Sequence, residues 1–109
     1  MKKLIAGGAT AALVAGALFA PSVWAGSKTV QVKDNKFVAK SITVSKGTTV
    51  KWAWKGHAPH NVTVTRGPVK FKSTTQVKGS FAKKLTRKGT YTILCTIHAP
   101  GMKMTIKVK

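Results

Sequence analysis

Apolar and polar residues alternate with a period of two along most of the chain beyond residue 26. In the clearest case, Val50, Trp52 and Trp54 share one face while Lys51 lies on the other. This period is typical of a β-strand that buries one face against a core. Shorter stretches of the same alternation predict further strands. The first contains Val30, Val32, Phe37 and Val38, with a turn or bulge at Asp34-Asn35-Lys36, and the others contain Ile42 and Val44, Val62 and Val64, Phe81 and Leu85, Tyr91 and Ile93, and Met102 to Val108.

Turn-forming residues separate these stretches. The breaks occur at Asp34-Asn35-Lys36, Lys46-Gly47, Arg66-Gly67-Pro68 and Arg87-Lys88-Gly89. Residues 69–79 carry one large apolar residue, Phe71, and predict an irregular loop or a short edge strand. No stretch of any length shows the 3.6-residue period of an amphipathic helix. About seven or eight short strands joined by close turns predict a single all-β domain, either a sandwich or a small barrel.

The first 25 residues differ in composition and predict a secretory signal. Lys2 and Lys3 give a positive start, residues 4–20 are apolar, and Val23-Trp24-Ala25 places small residues at both positions that a signal peptidase reads. We predict cleavage after Ala25 and Sec-type export, because the lysine pair is not a twin arginine and no cysteine lies nearby. An uncleaved membrane anchor is the alternative. Residues 26–109 would then form one domain in the periplasm, outside the cell or at its surface.

The chain is strongly basic, with 20 lysine and arginine residues against one acidic residue, Asp34, and a formal charge of +19. Only Lys2 and Lys3 fall within the predicted leader. Such a surface attracts anionic partners over long distances and in a salt-dependent way. We expect an acidic redox protein, an anionic envelope polymer or an anionic membrane surface as partner. We expect no nucleic acid, because the chain is exported. A solvated basic surface without a docking role is the alternative.

One stretch near the C-terminus combines three groups that bind soft metals. The segment from Gly89 to Met102 places the thiol of Cys95, the imidazole of His98 and the thioether of Met102 within eight positions. Cys95 is the only cysteine, so no internal disulfide is possible. Thiolate and thioether ligands select copper(I), and imidazole binds copper in either oxidation state. A metal that binds only the folded state would also supplement the small core of an exported domain without disulfides.

A second imidazole would complete a His₂Cys set with a weak axial methionine. His60 is the candidate, because Pro59-His60-Asn61-Val62 lies at the end of a predicted strand and a sandwich can bring it to the same pole as Cys95. We expect Asn61 to hydrogen-bond towards the Thr96 region and fix the geometry. Asn61-Val62-Thr63 also matches a glycosylation sequon.

Other residues of similar chemistry have simpler interpretations. Met104 is a possible substitute for Met102 but fits better in the core, as do Trp52 and Trp54. We interpret His57 as a surface residue, with a second and looser metal site as the alternative. Tyr91 is expected to serve packing, in the manner of a tyrosine corner.

These motifs resemble the plastocyanin and amicyanin branch of the cupredoxins, the blue copper proteins. The resemblance spans about Val30 to Val108 and rests on Pro59-His60-Asn61-Val62, the run from Gly89 to Cys95, and Cys95-Thr96-Ile97-His98 followed by Gly101-Met102. It implies a Greek-key β-sandwich in which His60, Cys95 and His98 bind one copper ion strongly and Met102 binds it weakly. It also implies that His98 is the electron port and that Ala99, Pro100 and Gly101 form a small apolar docking rim.

The sequence departs from the proteins that it resembles in two respects. The spacing between His98 and Met102 lies between those of the amicyanin-like and plastocyanin-like loops, and the near absence of acids differs from plant-type plastocyanins. The main expectation is a monomeric one-electron carrier cycling copper between +1 and +2, and not an enzyme, because no general base accompanies a nucleophile. The alternatives are a copper carrier or buffer without redox duty, and a basic sandwich that binds polyanions.

Overall fold

Two four-stranded sheets make up the computed structural model, which describes residues 26–109. In chain order the strands are β1 (Ser27–Lys33), β2 (Lys36–Val38), β3 (Ser41–Val44), β4 (Thr48–Trp54), β5 (Thr63–Arg66), β6 (Ser80–Leu85), β7 (Gly89–Leu94) and β8 (Lys103–Val108). The predicted leader, residues 1–25, lies outside the described residues. Residues 26–109 contain no helix, and therefore none that is long and apolar enough to cross a membrane.

The strand order shows how the chain passes between the two sheets. One sheet has the order β3-β8-β7-β5 and the other has the order β2-β1-β4-β6. β3 and β8 are parallel, as are β1 and β4, and the other neighbouring pairs are antiparallel. Most neighbouring strands are not consecutive in sequence, so many connections cross from one sheet to the other. The predicted all-β Greek-key sandwich is confirmed.

The core follows from the period-two pattern, as β4 illustrates. Val50 and Trp52 are fully buried, Trp54 is nearly so, and Lys51 between them is exposed. The Trp52 ring packs 5.8 Å from the ring of Phe81 between centroids. Its Nε1 atom donates a hydrogen bond to the Sδ atom of Met104 at 3.4 Å. Trp52, Trp54 and Met104 are therefore core residues, as the sequence predicts.

Tyr91 ties the start of β7 to the preceding turn. Its hydroxyl donates a 2.8 Å hydrogen bond to the carbonyl oxygen of Arg87, which is the tyrosine corner expected from the sequence. Burial of the ring raises the pKa of the Tyr91 phenol. Gly67 passes close to this ring with a φ of +154°, and a Cβ there would lie 2.8 Å from Tyr91 Cδ2. A side chain at position 67 would thus displace the corner.

The segment between β5 and β6 is an irregular loop, as predicted. Two isolated bridges hold it to the sandwich, one between Gln76 and His60 and one between Lys72 and Thr63. Phe71 is half-buried and packs against the core. The loop therefore gives the backbone of His60 a partner that no regular strand provides.

Candidate metal centre

His60 lies at one pole of the sandwich, in the connection between β4 and β5, and its side chain is fully buried. Its backbone N–H donates to the Gln76 carbonyl and its carbonyl accepts the Gln76 N–H, both at 3.0 Å. The same carbonyl accepts the indole N–H of Trp54 at 3.3 Å. Three hydrogen bonds thus fix the backbone from which the imidazole projects.

Cys95, His98 and Met102 lie on one loop that joins β7 to β8. The two strands are antiparallel and place Leu94 opposite Lys103, so the ends of the loop are held together. The N–H of Cys95 donates to the Met102 carbonyl at 3.1 Å. Within the loop, the N–H of His98 donates to the Cys95 carbonyl and the N–H of Met102 donates to the His98 carbonyl, at 3.2 and 3.3 Å. This is the hairpin-like arrangement expected from the sequence.

The potential ligand atoms of three residues converge. His60 Nδ1 and His98 Nδ1 are 3.2 Å apart, and Cys95 Sγ lies 3.9 Å from the first and 3.5 Å from the second. A late first-row metal with bonds of about 2.0–2.1 Å to nitrogen and about 2.3 Å to sulfur, at angles of about 100–130°, holds its donors about 3.1–3.9 Å apart. The donor spacing therefore fits a single metal ion. Among residues 26–109, these three form the group of His, Cys, Asp or Glu side chains able to hold one.

The two methionines differ in their surroundings. Met102 is fully buried, and its backbone is bonded to both Cys95 and His98. Met104 is also buried, but its sulfur accepts the hydrogen bond from Trp52 in the core. The contacts of the described residues therefore place Met102, and not Met104, in the loop that carries Cys95 and His98.

Asn61 links the two segments that carry the converging residues. Its Oδ1 atom accepts the N–H of Thr96 at 3.1 Å, and its Nδ2 atom donates to Thr96 Oγ1 at 2.9 Å. Thr63 and Thr75 hydroxyls complete its contacts. The expected bond towards the Thr96 region is therefore present. These bonds occupy a side chain that is only 6 % exposed, which leaves the sequon amide unavailable to a glycan in the folded protein.

Asp34 also contacts the site, although the sequence pattern around it predicts only a turn. Its Oδ1 atom lies 3.0 Å from His60 Nε2 and accepts the backbone N–H groups of His57 and Ala58. The bond from Ala58, then that from His60, lowers the pKa of Asp34 to about 2. The residue stood out in the sequence as the only acid. His57 is exposed, as expected, and contributes its backbone to this contact.

The family model for copper binding proteins of the plastocyanin/azurin family matches residues 25–109. The chain belongs to this family. Its cofactor is one copper ion, and the pole with His60, Cys95 and His98 has the nitrogen and sulfur donors that copper binds. No curated protein is significantly similar to this cupredoxin in sequence.

Solved structures of amicyanin and of a copper-containing nitrite reductase are among those that resemble this cupredoxin. The Cu(I) form of a methionine-to-alanine variant of amicyanin is 30% identical to this chain in sequence. The match covers 80% of this chain and 86% of the amicyanin chain, with a TM-score of 0.68. A reduced tryptophan-to-tyrosine variant of amicyanin is 27% identical over the same shares, with a TM-score of 0.69. The Cu-containing nitrite reductase of Thermus scotoductus SA-01 is 28% identical and covers 74% of this chain, with a TM-score of 0.68. This cupredoxin spans only 22% of that enzyme's chain but most of the amicyanin chain.

Proposed function

We propose that this protein is an exported carrier of single electrons. His60, Cys95 and His98 would bind the copper strongly, and Met102 would bind it weakly. The observation that carries the proposal is the convergence of His60 Nδ1, Cys95 Sγ and His98 Nδ1 within 3.9 Å of one another in a hydrogen-bonded frame. When bound, copper supplies a reversible one-electron change.

The residues around the site favour electron transfer over catalysis. His60, Cys95 and Met102 are fully buried, so these three side chains are shielded from water and from a substrate in solution. The hydrogen bonds from Gln76, Asn61 and the loop backbone would hold the ligands in place in both oxidation states of a bound copper ion, and the reorganisation energy would then be small. Nitrite reductase is an enzyme, but this chain corresponds to a minor part of it. We therefore propose a carrier and not an enzyme.

His98 is the proposed port for electrons, because it is the only partly exposed member of the three-residue group. The loop around it presents an apolar side chain, Ile97, which is 49% exposed, and the exposed residues Ala99, Pro100 and Gly101. A small apolar rim of this kind lets a redox partner approach the imidazole without desolvating charges.

Electrochemistry tests the proposed function directly. A carrier reconstituted with copper should give a fast, reversible one-electron wave in cyclic voltammetry. Exchangeable copper with a slow or absent redox response would favour the copper carrier or buffer instead. Binding to an anionic column that is unchanged by copper removal, in a protein without visible absorbance, would favour the polyanion-binding alternative.

We propose that the redox partner is acidic and that the protein acts as a monomer in the periplasm or at the cell surface. The rate of electron transfer to an acidic partner should fall at least about tenfold between 0.01 and 0.15 M salt, because the Debye length shortens from about 30 to about 8 Å. Stopped-flow kinetics measures this dependence. A small neutral oxidant is the control and should show little change, and an equal rate with the acidic partner at both salt concentrations would contradict electrostatic docking.

Replacing Met102 with Gln should keep copper bound but lower the reduction potential. The amide oxygen is a harder ligand than the thioether and favours copper(II) over copper(I). Voltammetry measures the shift. Met104→Leu is the matched control and should leave the potential almost unchanged, because the Met104 sulfur contacts Trp52. A shift of the potential in the Met104 variant but not in the Met102 variant would assign the weak ligand role to Met104 instead.

A further inference from the structure

The only acidic side chain of the protein lies behind the buried histidine of the copper site. Asp34 occupies the turn between β1 and β2, and its Oδ1 atom is 3.0 Å from His60 Nε2. The other ring nitrogen, His60 Nδ1, faces Cys95 and His98. One imidazole therefore connects the carboxylate to the metal position.

The contacts of Asp34 determine which nitrogen of His60 carries the proton. Oδ1 accepts the N–H groups of His57 at 3.0 Å and Ala58 at 2.9 Å, and Oδ2 accepts the His57 N–H at 3.1 Å. An ionised carboxylate only accepts hydrogen bonds, and the backbone N–H groups of His57 and Ala58 already point at the two oxygens of Asp34 as donors. The hydrogen shared with His60 therefore belongs to Nε2. Nδ1 keeps the lone pair that a metal ion needs.

We propose that Asp34 is a positioning residue that holds the His60 ring with Nε2 protonated and, through its charge, stabilises copper(II) relative to copper(I). The proposal rests on the ligand role proposed for His60. Every other charged side chain is lysine or arginine, so this carboxylate is the one acidic group available to offset the positive field at the metal. Its side chain is 40% exposed, and solvent therefore screens part of the effect, whereas His60 is fully buried.

Gly56 leaves the space that this carboxylate occupies. A Cβ at position 56 would lie 2.7 Å from Asp34 Cγ and 2.8 Å from the backbone nitrogen of Asp34. Any larger residue at this position must therefore displace the turn that carries Asp34. The substitution Gly56→Ala moves the carboxylate without changing the charge of the protein.

Two substitutions at position 34 separate charge from hydrogen bonding. Asp34→Asn keeps an acceptor oxygen but removes the charge, so it should weaken copper(II) binding about tenfold more than copper(I) binding, which raises the reduction potential by about 59 mV. Its visible and electron-spin-resonance spectra should stay close to those of the unaltered protein. Asp34→Ala and Gly56→Ala should change these spectra as well, because the His60 ring loses its hydrogen bond to the Asp34 carboxylate.

Nitrogen-15 NMR of the His60 ring reads the tautomer without relying on redox activity. In the copper(I) form of the unaltered protein, Nε2 should carry the hydrogen, and in Asp34→Ala the signals should show a changed ring environment. Lys36→Gln is the matched control, since it removes an exposed charge from β2 beside the same turn. It should shift the potential much less than Asp34→Asn does.

The outcomes separate this proposal from the proposed function. An unchanged reduction potential in Asp34→Asn would overturn the charge effect at Asp34. Shifts of the potential that are equal in size and opposite in sign in Asp34→Asn and Lys36→Gln would also overturn it, because Asp34 would then act no differently from an exposed surface charge. An Nε2 atom without hydrogen in the unaltered protein would overturn the positioning role. An unaltered protein that binds no copper would instead refute the ligand set itself. If Asp34→Ala does not fold, the potential of Asp34→Asn still tests the charge effect, and the NMR signals of the unaltered protein still test the positioning role.

Discussion

Replacing Cys95 with Ser is expected to abolish the intense visible absorption of the copper(II) protein. That absorption arises from charge transfer between a thiolate and copper, and a serine hydroxyl supplies no thiolate at neutral pH. Cys95 Sγ lies 3.5 Å from His98 Nδ1 and 3.9 Å from His60 Nδ1, so the substitution removes the sulfur donor from the centre of the group. Visible and electron-spin-resonance spectra after addition of copper(II) measure the loss.

The serine variant should still fold, which makes the result interpretable. Serine is close to cysteine in size, so the packing around this fully buried side chain changes little. The apo forms of the two proteins should therefore unfold at similar temperatures. Retention of the blue colour in a folded Cys95→Ser variant would refute the assignment of this thiol as a copper ligand.

Loading the protein with copper is expected to raise its unfolding temperature strongly. A ligand that binds only the folded state at about 1,000 times its Kd stabilises that state by about 4 kcal/mol. For a domain of this size, each kcal/mol shifts the midpoint by about 4–8 °C, which gives an increase of about 15–30 °C. Differential scanning calorimetry of apo and copper(I) protein under anaerobic conditions measures the increase.

The serine variant is again the control for this stabilisation. Without the thiolate it should show only a small increase with copper(I), because soft sulfur donors provide much of the affinity for this ion. An equally large increase in both proteins would indicate that copper binds elsewhere, for example at the exposed His57. Equal midpoints for the apo and copper forms of the unaltered protein would contradict a metal-stabilised fold.

The fold could be predicted from the sequence because its strands bury one face. In β4 and β8, large apolar side chains alternate with lysine, threonine or alanine, and the structure buries the large apolar members. The loop from Cys95 to Met102 could also be identified from the sequence, because its thiol, imidazole and thioether groups lie within eight positions. His60 was identifiable because a proline-bearing break precedes it at the end of a strand.

Contacts between distant segments could not be predicted from local patterns. Met102 immediately precedes β8 and Met104 lies within it, two positions further on, so the period of two places both on the same face. The pattern therefore did not show which of the two methionines belongs to the copper site. The decisive contact joins Met104 to Trp52, 52 positions away. Asp34 was missed for a similar reason. Parallel pairing of β1 with β4 brings the turn after β1 beside residues 56–58, and alternation within each strand does not specify that pairing.

The complete burial of Cys95 has a consequence for the life of the protein before copper arrives. In an oxidising compartment, an unfolded chain would expose this thiol to mixed disulfides with other proteins, since it has no partner within its own chain. The closed sandwich shields the sulfur from such reagents. Rapid folding in such a compartment would therefore preserve the reduced sulfur until the metal is delivered.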